Sequence, residues 1–110
     1  GFDEAIDYKT AKDVAELTVQ LKETAPDGID MYFENVGGMH FEAAFASLRS
    51  CGRIAVCGAI SGYNEKTQPK NEINITSMIY SQQRIEGFVC RPWLTGQRGN
   101  FLRDMSKWLE

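Results

Sequence analysis

The sequence is poor in the features that mark several functional classes. It has no surplus of positive charge: 12 Lys and Arg stand against 15 Asp and Glu, for a formal net charge of −3. No basic stripe is available to neutralise a phosphate backbone, which excludes nucleic acid as a partner, and the same balance excludes cationic attachment to a membrane surface. No apolar run approaches the roughly 20 residues that cross a bilayer. The start, Gly1-Phe2-Asp3-Glu4, lacks the charged-then-apolar pattern of a signal peptide. A soluble, cytoplasmic protein is expected. Cysteine is scarce, and Cys51, Cys57 and Cys90 are odd in number without C-x-x-C spacing. That argues against a disulfide framework and a zinc knuckle, and the three are read as reduced and packed. His40 is the single histidine, with no second His or Cys at ligand spacing, and is read as a helix-surface residue. The G-x-S-x-G elbow, the P-loop and H-E-x-x-H are all missing, which removes the common hydrolase and nucleoside-triphosphatase readings. The acids Asp3, Glu4, Asp7, Asp13, Glu16 and Glu23 are scattered among lysines, as on a solvated surface rather than in a catalytic pair.

What is present suits one globular domain: 110 residues, 43% hydrophobic and 25% charged. The chain opens without Met and stops at Glu110 on a helical pattern without a cap, so it is read as a fragment. No internal repeat or low-complexity tract interrupts it.

Ala5 to Tyr8 reads as a short strand. Thr10-Ala11-Lys12-Asp13 resembles a capping box, and Val14, Leu17, Thr18 and Leu21 then form a helical stripe that Pro26-Asp27-Gly28 ends. Ile29 to Phe33 is apolar apart from Asp30, as in a strand buried on both faces, and it leaves through Asn35-Val36-Gly37-Gly38. Phe41, Ala44, Phe45 and Leu48 predict a helix over His40 to Ser50, with Cys51-Gly52 at its C-terminus. Arg53 to Cys57 is a strand whose exit is Gly58 to Tyr63, and the polar stretch Asn64 to Asn71, with Pro69, is an exposed loop. A weak helix spans Asn74 to Gln83, and Arg84 to Cys90 is a further strand closed by Arg91-Pro92. The final helix carries the stripe Phe101, Leu102, Met105, Trp108 and Leu109, expected to pack back on a sheet.

Strands alternating with helices imply an α/β fold with a parallel sheet. In such sheets ligands sit outside the carboxyl ends of the strands, which selects Tyr8, Asn35 to Gly38 and Gly58 to Tyr63. Gly37, Gly38 and Gly58 let a ligand approach the backbone, or they simply make tight turns. Asn35 either contacts a ribose hydroxyl or a carboxamide, or caps the helix that follows. Tyr63 and Tyr80 each bring a phenol able to donate to a developing oxyanion, or each is an amphipathic residue at an element boundary.

The order and wording of these segments carry a resemblance over essentially the whole chain. GFDEAIDYKT, APDGIDMYFENVGG, GRIAVCGAISGYN, RIEGFV and a helix ending MSKWLE are similar to the zinc-independent medium-chain dehydrogenase/reductases of the prostaglandin reductase type, also called leukotriene B4 12-hydroxydehydrogenases or alkenal/alkenone reductases. The pair YFENVGG and CGAISGYN discriminates far better than a single glycine motif. The resemblance implies a Rossmann-like doubly wound sheet. Residues 1–110 would be the C-terminal portion of its NADP-binding domain. It implies an enzyme that takes NADP(H) and reduces the C=C bond of an enone or enal, with hydride to the β-carbon, a proton to the α-carbon and no metal. Carried over by motif, Tyr8 would reach the 2′-phosphate and Asn35 would contact the cofactor. Cys57, Gly58, Ala59, Ile60, Ser61, Gly62 and Tyr63 would line the nicotinamide half, and Phe88, Val89 and Cys90 would meet its end. Tyr80, in MIYSQQRIEGF, would be the catalytic phenol at the substrate carbonyl, where one oxyanion donor contributes about 3 kcal/mol.

Two departures stand beside this. The family's glycine-rich phosphate loop, its NADP-selecting lysine and its catalytic domain would all precede Gly1, so the 110 residues alone are expected to be inactive. The loop Thr67 to Ile73 reads TQPKNEI where relatives carry a proline-rich segment, which leaves substrate preference open. The edge strand Arg84 to Cys90 is expected to join two copies in a homodimer. A non-enzymatic NADPH-binding quinone-reductase-like protein and another Rossmann-like enzyme, such as a methyltransferase, are the alternative readings.

Overall fold

Three parallel strands set the frame of the computed structural model, which describes residues 2–67 and 70–109. In chain order the elements are α1 (Val14–Thr24), β1 (Ile29–Glu34), α2 (Met39–Ser47), β2 (Leu48–Val56), α3 (Ile75–Tyr80), β3 (Arg84–Gly87) and α4 (Arg91–Leu109), with single 3-10 turns at Tyr8–Thr10 and Ile60–Gly62. The spatial order is β1-β2-β3. Tyr32 lies opposite Ile54 and Glu34 opposite Val56, while Val56 also faces Gly87, so all three strands end at one level. Each parallel step passes through a helix, as that connection requires.

The core lies between α2 and one face of the sheet. Phe41 and Phe45 pack with Leu48 and Ile54, and Ile29, Tyr32, Val56, Ile73, Met78 and Ile85 close around them. Leu17, on the α1 stripe, is buried where α1 crosses α2. Each of these large side chains contributes roughly 1.5–3 kcal/mol on burial. The other face is bare among the described residues. Met31 and Phe33 alternate with Tyr32 and Glu34 by the two-residue period of a strand, and they remain 69% and 56% exposed. A depression of about 350 Å³ runs across this face between Met31, Arg53, Arg84, Glu86 and Phe88.

Several boundaries differ from the expectations, each for a local reason. Ala5 to Tyr8 forms no strand: no described strand lies beside it to share a ladder, and Tyr8–Thr10 winds into a 3-10 turn that Asp7 caps. The capping box sits three residues later. The Asp13 side chain accepts from the Glu16 amide at 2.9 Å and the Glu16 carboxylate from the Lys12 amide at 2.9 Å, whereas the Thr10 hydroxyl donates to the Asp7 carbonyl at 2.8 Å. Helix α2 stops at Ser47, so Cys51-Gly52 is not its terminus. These two residues lie instead in an irregular stretch of β2, with Cys51 in the left-handed region at φ 63°. A Cβ on Gly52 would meet the Arg49 carbonyl at 2.8 Å, which makes glycine a packing requirement there. β1 is covered on one face only.

Strand β3 ends at Gly87, so Phe88 to Cys90 form its exit rather than its last residues. Pro92 falls in the first turn of α4, where its missing N–H costs nothing. The stripe of α4 does not pack back on the sheet: Phe101, Leu102, Trp108 and Leu109 are all more than half exposed. The exposed loop after Tyr63 continues to Thr67, and its Gln68-Pro69 pair, within both Asn64 to Asn71 and Thr67 to Ile73, lies outside the described residues, as do Gly1 and Glu110. No described helix is long and apolar enough to cross a membrane.

Candidate functional site

The carboxyl ends of the strands bring two glycine-bearing exits together. Where β1 ends, the Glu34 carbonyl accepts from the amides of Cys57 at 2.9 Å and Gly58 at 3.1 Å, which carries the ladder past the last residue of β2. The Asn35 carbonyl accepts from the Ile60 amide at 3.0 Å, and the Val36 carbonyl accepts from the Ser61 amide at 3.0 Å and from the Ser61 hydroxyl. Residues 35–38 and 57–63 therefore form one hydrogen-bonded surface. Glycine is needed within it. Gly37 stands at φ 80°, where a Cβ would lie 3.3 Å from Ser61 Oγ, and a Cβ on Gly58 would lie 3.1 Å from the Tyr63 hydroxyl.

Beneath this surface lies Glu34, 1% exposed. Its Oε1 accepts from the amides of Val36 and Gly37, the latter at 2.9 Å, so the carboxylate fixes the turn from below. Its Oε2 is buried without a hydrogen-bond partner. The charge is felt by Tyr32 on the same face of β1, whose phenol is pushed up to about 12, first by burial and then by Glu34. Sequence reasoning passed over both residues. The available signal was a carboxylate directly before Asn-Val-Gly-Gly, placed to accept from the amides of a turn that has no side-chain cap of its own: α2 begins after Gly38 without one.

The expected site residues fall into three groups. Asn35 and the segment Cys57, Gly58, Ala59, Ile60, Ser61, Gly62 and Tyr63 are brought together at the exits, with the Asn35 and Tyr63 side chains exposed. Asn35 makes no side-chain cap to α2. The Tyr63 ring folds back so that its hydroxyl accepts from the Ala59 amide at 3.2 Å, leaving the phenolic hydrogen free to donate outward. Phe88, Val89 and Cys90 adjoin them at the end of β3, where the Phe88 amide donates to the Val56 carbonyl at 3.0 Å and the Phe88 ring meets Phe33 edge-on at 5.7 Å. Desolvation first, then the influence of Cys90, raises the Cys57 thiol above its ordinary value. The cysteines are all free, but only Cys57 is half-buried; Cys51 and Cys90 are exposed rather than packed.

Tyr8 forms the second group. It stands beside α2, its ring edge-on to His40 at 4.5 Å. His40 is thus half-buried against an aromatic ring rather than lying free on a helix surface. The two close a small apolar hollow with Ile6, Leu17, Leu21, Tyr32 and Ala44.

Tyr80 is not brought to the exits. It is the last residue of α3, at the entrance of β3, where the Ser81 carbonyl accepts from the Cys51 amide at 2.8 Å, and it is 84% exposed. The four residues of β3 put about 10 Å of strand between that end and the exits. The chain order of helix before strand places Tyr80 at the amino end, the side opposite to where a parallel sheet receives its ligands.

Comparison with known proteins agrees with this architecture. A family model described as zinc-binding dehydrogenase matches residues 1–107. Prostaglandin reductase 1 of Bos taurus is 41% identical over 109 residues, which cover 99% of this chain and 32% of that protein. The NADP(+)-dependent 2-alkenal reductase of Nicotiana tabacum is 47% identical over 89 residues, covering 81% of this chain and 25% of the relative. Among solved structures, CurA from Vibrio vulnificus in complex with NADPH superposes with a TM-score of 0.79 at 35% identity, over 99% of this chain and 32% of that one. The methyltransferase alternative is overturned by these matches. The chain spans about a third of its curated mammalian relative, and, matched along nearly its whole length, it belongs to the zinc-binding dehydrogenase family.

Proposed function

We propose that residues 1–110 are the later part of the NADP-binding domain of a cytoplasmic, zinc-independent reductase that saturates the C=C bond of α,β-unsaturated ketones or aldehydes. The observation that carries this reading is the interlocked surface of residues 35–38 and 57–63, glycine-lined and open at the carboxyl end of a parallel sheet. The relatives named as prostaglandin reductase and NADP(+)-dependent 2-alkenal reductase support the reaction class, and the NADPH complex of CurA supports the cofactor.

The residues fit a dinucleotide. Gly37 and Gly58 stand where a Cβ would already crowd Ser61 or Tyr63, so the backbone there can only be bare. The exposed Asn35 carboxamide can both donate and accept toward a ribose or a carboxamide. Tyr8, braced by His40, is the candidate for the 2′-phosphate. Cys57 to Tyr63 and Phe88 to Cys90 would line the nicotinamide half. When bound, NADPH supplies the hydride. Tyr63 is the better candidate than Tyr80 for holding the substrate oxygen, because its hydroxyl is at the exits and its hydrogen is uncommitted. It would donate to the carbonyl oxygen as charge builds there, while the Ala59 amide polarises the phenol.

The bare sheet face with Met31 and Phe33 would receive the remaining helices of the doubly wound domain. The outer edge of β3, Arg84–Gly87, has no partner strand among the described residues and would pair with its copy in a homodimer. The test is NADPH consumption by the full-length protein with an enone or enal. Oxidation of NADPH coupled to formation of the saturated carbonyl supports the reading; tight NADPH binding without turnover refutes it in favour of a non-enzymatic binding protein.

A further inference from the structure

Two surfaces of the chain are left open, and they match in apolar character and in charge. One is the β2–β3 half of the bare sheet face, where Arg53 stands opposite Arg84 and Ala55 opposite Glu86, with Phe88 beyond them along the depression. The other is the α4 stripe, on which Phe101, Leu102, Trp108 and Leu109 are exposed. Like charges directly opposite each other on neighbouring strands repel, yet neither Arg53 nor Arg84 has an ion-pair partner among the described residues. On α4, Arg98 precedes Phe101 by three residues and Leu102 by four, while Asp104 follows Phe101 by three and precedes Trp108 by four, so both charges border the stripe. They are about 9 Å apart along the helix, and Arg84 and Glu86 are about 7 Å apart along the strand. A helix laid antiparallel to β3 therefore brings Arg98 to Glu86 and Asp104 to the arginine pair, with the stripe over Ala55 and Phe88. The ion pair that Asp104 makes now, to exposed Arg103 at 3.8 Å, contributes little. A helix about 10 Å wide covers about two strands, which leaves Met31 and Phe33 on β1 to other helices.

The helix of the same chain is held away from this face. Phe88 is fixed on the sheet, its amide donating to the Val56 carbonyl at 3.0 Å and its ring meeting Phe33 at 5.7 Å. The Cys90 carbonyl already accepts from the Leu94 amide at 3.2 Å, at the start of α4. Val89 is the one residue between these two fixed points, whereas strand-to-helix connections usually take about 2–6 residues. Reversal onto its own sheet would break one of the two; a second copy can receive α4 with both intact. We propose that α4 is exchanged between two copies of this chain, each laying its α4 antiparallel to β3 across the β2–β3 face of the other. Twofold symmetry makes the contact twice, as in a domain-swapped dimer. The exchange uses the face of β3 rather than its outer edge, and it does not rest on the assignment of the cofactor.

The experiment uses full-length protein carrying Glu86→Cys and Arg98→Cys together. Isotope-labelled and unlabelled copies are mixed dilute, concentrated and mildly oxidised, and linked peptides are mapped by mass spectrometry. A bridge between positions 86 and 98 that joins a labelled to an unlabelled chain is expected. Bridges confined to single copies overturn the exchange in favour of closure within one chain, and the absence of any bridge between these positions overturns the docking. With the native cysteines alone, Asp104→Arg should raise the dimer dissociation constant at least about tenfold in analytical ultracentrifugation, and adding Arg84→Asp should recover most of that loss. An unchanged constant, or a loss that the second substitution does not recover, overturns the pairing. Asp104 is exposed, so its replacement leaves the fold intact. NADPH turnover with an enone, followed on the same samples, tests the function proposed above separately.

Discussion

Replacing Glu34 tests whether a buried carboxylate shapes the cofactor-facing turn. In Glu34→Ala two amides, those of the half-buried Val36 and the buried Gly37, lose their acceptor. Each unsatisfied group costs about 1–3 kcal/mol, so the gross loss is about 2–6 kcal/mol. An opposing effect comes from Oε2, which is buried without a partner; removing a half-satisfied carboxylate releases part of its desolvation cost. The net expectation is a loss of about 2–3 kcal/mol for Glu34→Ala, and about 1 kcal/mol for Glu34→Gln, which keeps an acceptor at Oε1. Hydrogen exchange gives the direct readout. At about 1.4 kcal/mol per factor of ten, the amides of Val36 and Gly37 should exchange roughly 30- to 150-fold faster in Glu34→Ala. Peptides from α1, remote from the turn, should change less. NADPH binding should weaken in the same order, alanine before glutamine. Wild-type protection of residues 36 and 37 in Glu34→Ala would refute the idea that this carboxylate holds the turn.

Three further outcomes follow from the same geometry. Tyr63→Phe removes one oxyanion donor and should lower kcat about 100-fold with little change in NADPH affinity, while Tyr80→Phe should leave kcat within about twofold; steady-state kinetics on an enone decides between the two phenols. Gly37→Ala forces a side chain into φ 80° and against Ser61 Oγ at 3.3 Å, and should cost about 1–3 kcal/mol in denaturant unfolding along with a weaker NADPH complex. Tyr32 contributes stability that depends on a protonated phenol. Its folded value of about 12 lies above the ordinary 10.0, so the contribution is intact below pH 10 and is lost as pH rises through about 12. Unfolding midpoints measured across that interval should fall more steeply in the wild type than in Tyr32→Phe.

Much of the architecture was legible because it is written in adjacent residues. The α1 stripe of Val14, Leu17 and Leu21, the breaker Pro26-Asp27-Gly28 and the strand Ile29 to Phe33 all follow from periodicity and turn chemistry over short windows. The same holds for the exits, since glycine at positions 37 and 58 advertises a bare backbone wherever the chain goes next. Boundaries slipped where two local rules competed. Cys51-Gly52 looked like a helix end because glycine favours that place, yet Gly52 is required by the approach of the Arg49 carbonyl. The stripe of α4 promised packing, yet periodicity states only that a face is apolar and not what covers it.

The sequence alone therefore determined the alternation of helices and strands, the parallel sheet this implies, and the family to which its exit motifs belong. Tertiary structure decided which side chains share a place. It set Glu34 under the turn of residues 35–38 and Tyr8 against His40, and at the exit of β3 it brought Phe88 against Phe33 of β1. It also separated the two tyrosines, leaving Tyr63 at the carboxyl end of the sheet and Tyr80, which the resemblance put at the substrate carbonyl, at the amino end. The physical reason is the range of the interactions: propensity and periodicity act within a few residues, whereas register between parallel strands is fixed by pairings across a helical crossover, which no short window contains.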